Sequence, residues 1–155
     1  MSIGTVVGGV NLFLTGLLAG EEFVIRYGVR APVAALERQA HIALRQRLIR
    51  RLRILVPALA APTILSGLLT TMVDRRDGGI ALRGVGLLSL FVLAGVTLLG
   101  TVPINSAVLE WDPEAPPADW QAQIRRWEQL DSVRCWAAVF AFALFVVAAV
   151  RTTKR

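Results

Sequence analysis

Residues 84–109 read GVGLLSLFVLAGVTLLGTVPINSAVL, 26 residues without a single Asp, Glu, Lys or Arg. Such a run exceeds the ~20 residues with which an α-helix crosses a bilayer. In hydrocarbon, a lone segment can satisfy its own backbone hydrogen bonds only as a helix. The property recurs near 3–20, 54–73 and 135–150. Together these runs take up most of the 155 residues, which are 55% hydrophobic with a mean hydropathy of +0.59, against ~45–50% apolar usage in soluble domains. The reading is an all-α fold, a four-transmembrane-helix bundle, in a multi-pass integral protein of the cell membrane. One membrane domain is expected over 1–155, with spans at 3–23, 54–73, 84–109 and 132–150. The connections are too short to bury a soluble core.

The chain carries 17 basic and 11 acidic residues, a net charge of +6. In a membrane protein, loop arginines set topology and meet anionic headgroups, and no base-reading motif is present, so nucleic acid is not expected as a partner. The lipid bilayer is. The single cysteine, Cys135, rules out an internal disulfide and any CxxC motif; it reads as a small buried hydrophobe. No Lys or Arg precedes Arg26, so the first run lacks the basic start of a signal peptide and reads as a true span. Its Gly4/Gly8 and Gly16/Gly20 spacings let helices approach closely, with packing inside one chain favoured over dimerisation.

Between the first two spans, residues 41–53 form an amphipathic helix continuous with the second span. At 100° per residue Leu44, Leu48, Leu52 and Leu55 share one face, while Arg47, Arg50, Arg51 and Arg53 spread over the other. Pro57 and Pro62 should kink that helix without ending it. A polar turn follows at 74–79, and an acidic, proline-rich loop at 110–119 ends in Asp119 as N-cap of a helix 120–131 that leads into the fourth span. A basic tail closes the chain at 151–155. Six of the 17 basic residues fall on the side of the termini and the 74–83 turn, leaving 11 on the other side, which the positive-inside rule assigns to the cytoplasm.

Polar residues inside spans are costly and face the bundle or a cavity. On the first helix Asn11, Thr15, Ala19, Glu22 and Arg26 form one stripe, with Glu21 off it. His41 and Arg45 lie on the leucine side of the second helix, Thr97, Thr101 and Asn105 recur at intervals of four on the third, and Trp120, Trp127, Asp131, Arg134 and Ala138 stack on the fourth. In a four-span chain these ends share one membrane side. Glu22, His41, Arg45, Asn105, Trp127, Asp131 and Arg134 are therefore expected to line a polar pocket at one mouth of the bundle. The competing reading is structural, with Glu22–Arg45 and Asp131–Arg134 pairs locking helices and the tryptophans anchoring at the interface.

No P-loop, GxSxG, HExxH or dinucleotide fingerprint occurs. No metal site is predicted and no cofactor; the lone His41 leaves room for a single-histidine metal or haem site at most, and a Glu22/Asp131/His41 set has no recognised spacing.

Thr101-Val-Pro-Ile-Asn105, then Trp111, Trp120, Trp127 and Asp131-Ser-Val-Arg134, with the early Gly16-Leu-Leu-Ala-Gly-Glu-Glu22, resemble the anthrone oxygenase-like family of bacterial four-helix membrane proteins. An Asn or similar polar group is expected in that family where this chain has Asp131. The resemblance implies a cofactor-independent monooxygenase acting on polycyclic phenolic ketones. In that scheme His41 or Glu22 is the base, Arg45 or Arg134 stabilises the enolate oxygen, and Asn105, Asp131, Trp120 and Trp127 bind the substrate. The other class that stays open is a non-catalytic accessory subunit, or a binder of a lipophilic small molecule such as a quinone.

Overall fold

The computed structural model describes residues 3–73 and 79–153. Residues 74–78 of the polar turn and residues 154 and 155 of the basic tail lie outside the described residues. The described chain is helical without a strand, in four long helices: α1 (Ile3–Ala34), α2 (Arg38–Val73), α3 (Ile80–Leu109) and α4 (Trp120–Thr153). Each contains a window long and apolar enough to cross a membrane. The protein is a multi-pass membrane protein built as a four-helix bundle. Large apolar side chains on all four helices face outward, among them Phe13, Leu65, Leu88 and Phe140. In water that would be a liability; in lipid it is the solvated surface.

α1 packs on α2 and α4, and α3 packs on the same two. Among the described residues the backbones of the diagonal pairs stay apart. The core is split along the bundle axis. One apolar cluster, including Leu18, Leu90, Leu93, Ala138, Ala141 and Phe145, fills the membrane half. A second, Ile42, Ile49, Ile104, Val108, Trp111 and Ile124, fills the end that carries the 110–119 loop. Gln46 ties that loop down by donating from Nε2 to the carbonyls of Val108 (2.9 Å) and Trp111 (2.8 Å). Glycine permits close approach in the membrane half, where the Phe145 ring lies against Gly67 of α2 and Gly86 of α3. Asn11 donates to Ser66 Oγ at 3.3 Å, joining α1 to α2.

Several boundaries differ from the sequence reading. α1 does not stop near 23 but continues to Ala34, and α2 begins at Arg38 and runs through Pro57 and Pro62. Leu55 faces outward and is not part of the buried face, which is His41, Ile42, Arg45, Gln46 and Ile49. Asp119 starts α4 through its carbonyl, accepting from the Ala122 and Gln123 N–H groups, while its carboxylate accepts from the Gln123 side chain at 3.1 Å. Gly16 packs on Phe142, whereas Gly8 and Gly20 meet nothing.

Two π-helical turns interrupt the regular helices, at Ile25–Val29 in α1 and Thr97–Thr101 in α3. Both lie just ahead of a proline, Pro32 and Pro103, and each contains the residue four positions before it, Gly28 and Leu99. Proline has no N–H to give that residue's carbonyl and its ring crowds it. A widened turn relieves the conflict, and such turns are frequent at functional sites.

Candidate functional site

Both π turns border the same cavity, of about 330 Å³, which lies between the two apolar clusters. α1 contributes Glu21, Glu22, Ile25, Val29, Arg30 and Val33; α2 contributes Arg45, Leu48, Ile49, Leu52, Arg53, Val56 and Pro57. α3 adds Thr97, Thr101, Val102, Asn105, Ser106 and Leu109, and α4 adds Trp127, Asp131 and Arg134. Thr97, Thr101 and Asn105 reach it together because the π turn holds extra residue length. In a pure α-helix, positions i and i+8 diverge by about 80° at 3.6 residues per turn.

The polar side chains around this cavity are unevenly satisfied. Arg134 donates from Nη2 to the buried Glu22 carboxylate and reaches Thr101 Oγ1 at 3.5 Å. Arg30 pairs with Glu128 at 3.1 Å and stands 3.7 Å from Asp131 Oδ2. Arg26 donates to Ser132 Oγ. Arg45, 7% exposed, holds its guanidinium 4.6 Å from the centre of the Trp127 ring, a cation–π contact. Among the described residues nothing hydrogen-bonds either carboxylate oxygen of Asp131, which is 1% exposed. Arg45 Nε, Arg134 Nε, Asn105 Oδ1 and Trp127 Nε1 are buried without a partner as well. Each unpaired buried group costs about 1–3 kcal/mol, more when charged. Glu21 Oε2, at the same cavity, is likewise without a partner, and six such residues around one cavity describe a surface with unused hydrogen-bonding capacity for a polar ligand.

Of the residues singled out from sequence, Glu22, Arg45, Asn105, Trp127, Asp131 and Arg134 line this cavity. His41 and Trp120 do not: they line a separate shallow depression with Arg38 and Glu128, their rings 5.6 Å apart and edge-on. His41 lies one helical turn from Arg45, on the outer side of the second apolar cluster. The ion pairs are also exchanged relative to expectation, Glu22 with Arg134 and Asp131 beside Arg30. The second apolar cluster, with Ile42, Val108, Trp111 and Ile124, packs between the cavity and the bundle mouth. Sequence reasoning missed Arg30 and Glu21. Arg30 becomes legible only when α1 is carried past residue 23 and through Gly28 toward Pro32. Among the described residues no three His, Cys, Asp or Glu side chains are grouped as metal ligands.

A protein-family model described as anthrone oxygenase matches residues 46–144, close to two thirds of the chain. The match takes in the α3 and α4 walls and most of the α2 wall, while Arg45 and the α1 wall precede it. No curated protein and no solved structure matches the chain.

Proposed function

The chain belongs to the anthrone oxygenase family, and on that premise we propose that it binds an anthrone-like aromatic ketone in its cavity, within the cell membrane, and oxygenates it without a resident cofactor. The substrate class supplies the reducing power. Removing one proton from the CH₂ between the two aryl rings of an anthrone gives a carbanion delocalised onto the ketone oxygen. That anion passes one electron to O₂, and coupling of the two radicals forms a C–O bond and a peroxide. Loss of the second proton from the same carbon breaks the O–O bond. One oxygen atom becomes a new ketone and the other leaves as water.

The observation that carries this reading is the buried Asp131 carboxylate, which lines the cavity with both oxygens free of hydrogen bonds. A general base must have such a lone pair available. Glu21 borders the same cavity with one unpaired oxygen but is only half-buried, the Glu22 carboxylate there is engaged by Arg134, and His41 lines the other depression. In the proposed assignment Asp131 is the base, Arg45 stabilises the enolate oxygen as charge develops there, and Asn105 and Trp127 orient the ring system. Trp127 already carries a guanidinium on one face, so a flat ligand stacks beside that pair.

Oxygen uptake by proteoliposomes supplied with anthrone tests the assignment. Wild-type protein should consume oxygen, and Asp131→Asn should slow turnover by roughly 10²-fold or more, the usual contribution of a positioned base. Retained turnover in Asp131→Asn removes Asp131 as the base. Anthrone binding without oxygen uptake in the wild type instead leaves a non-catalytic binder of quinone-like lipophiles or an accessory subunit.

A further inference from the structure

The cavity lies between two apolar clusters, and four of its lining residues are exposed: Arg53 and Pro57 on α2, Val102 and Ser106 on α3. Every other lining residue is buried or half-buried. The four therefore mark one seam. Along that seam α2 packs on α3 both below, at Ile80–Val96, and above, at Val102–Leu109, while among the described residues the π turn Thr97–Thr101 between them makes no backbone approach to α2. The widened turn leaves a gap at the level of the cavity. Immediately beside it lie Ile54, Leu98 and Leu99, with exposures of 69%, 66% and 85%, which are lipid-facing positions. On the same helix Arg47, Arg50, Arg51 and Arg53 are exposed just beyond Ile54, so the gap sits where hydrocarbon gives way to headgroups.

Taking the cavity to be a ligand site, as proposed above, we infer that its ligand enters sideways from the bilayer through a window between α2 and α3 bordered by Arg53, Pro57, Val102 and Ser106. The ligands that fit this route are flat, lipid-dissolved molecules with one polar edge. Their apolar body shares the belt with Ile54 and Leu99. The polar edge passes Arg53 at headgroup depth and ends among Arg45, Asn105 and Asp131. On the aqueous side the buried cluster of Trp111, Val108 and Ile42 lies across the bundle end, so the lipid-facing seam is the more direct path.

A window slows ligand entry and exit together when it is narrowed, whereas a lost contact speeds exit. The test uses anthrone as the probe, followed anaerobically by quenching of intrinsic tryptophan fluorescence after mixing anthrone-loaded and protein-containing phosphatidylcholine vesicles. Val102→Phe and Ser106→Phe should each lower the association and dissociation rates roughly tenfold, as obstruction does to a conformationally restricted encounter. Val92→Phe, an outward residue away from the seam, serves as the control. Equal rates in wild type and both seam variants, with binding intact, overturn the window and leave the cavity as a ligand site. Absence of anthrone binding to the wild type overturns the ligand reading and the window with it.

Discussion

Arg134 and Glu22 show what a pair of charges does when both are placed out of water. The two side chains join α4 to α1, and Thr101 adds a contact from α3, so one guanidinium ties three helices at cavity level. Breaking such a pair from one side strands the other charge, at a cost of about 3–5 kcal/mol. Arg134→Gln should therefore lower the thermal midpoint in detergent markedly. Adding Glu22→Gln should recover most of the loss, and a double variant as unstable as the single would mean that the ion pair does not carry the effect. Glu22 and Arg134 could both be assigned to inward faces from helical periodicity. Their partnership could not, since a helical wheel gives rotation about one axis and says nothing of how far two helices are shifted along their axes. That is why Arg45, one turn from His41 on the expected face, ends against Trp127 and not against Glu22.

At the scale of elements, the glycines separate into two kinds that their spacing does not distinguish. A Cβ on Gly86 would stand 3.2 Å from the Phe145 ring, and one on Gly67 would stand 3.3 Å from it. Gly86→Ala must push that ring and should destabilise by about 1–3 kcal/mol, the usual effect of overfilling a core. Gly20 faces open space, so Gly20→Ala should be neutral or raise the midpoint, because Gly in a helix costs about 0.8–1.0 kcal/mol relative to Ala. Thermal unfolding of both variants in one detergent decides it; a destabilised Gly20→Ala would point to a second copy on that face. The π turns belong to this scale as well. Pro32 and Pro103 announced a local conflict, but a helix can answer a proline by kinking, ending or widening. α2 runs on through Pro57 and Pro62, and only the surroundings decide which response is adopted.

Over the whole molecule, α2 has 36 residues, about 54 Å at 1.5 Å per residue, against a hydrocarbon core of ~30 Å. The excess lies at the end carrying the arginine-rich part of α2 and the 110–119 loop, and the cavity sits at its base. The count of basic residues predicts that this end faces the cytoplasm. Arg51→Cys should then react with a membrane-impermeant maleimide in inside-out vesicles and not in intact cells. The background is low because the native Cys135 is 1% exposed. Labelling from outside would reverse the topology. The number of helices, their membrane setting and the inward polar stripe of the first helix were determined by sequence alone, since these follow from run length, charge exclusion and periodicity, all local properties of a chain in a two-phase solvent. The split of the polar residues between two pockets, the pairing of Glu22 with Arg134, the apolar cluster beyond the cavity and the gap between α2 and α3 were decided only by tertiary structure. They depend on the axial offset and separation of whole helices, quantities set by how Phe145 seats between glycines and how two π turns re-register α1 and α3, and no single helix encodes them.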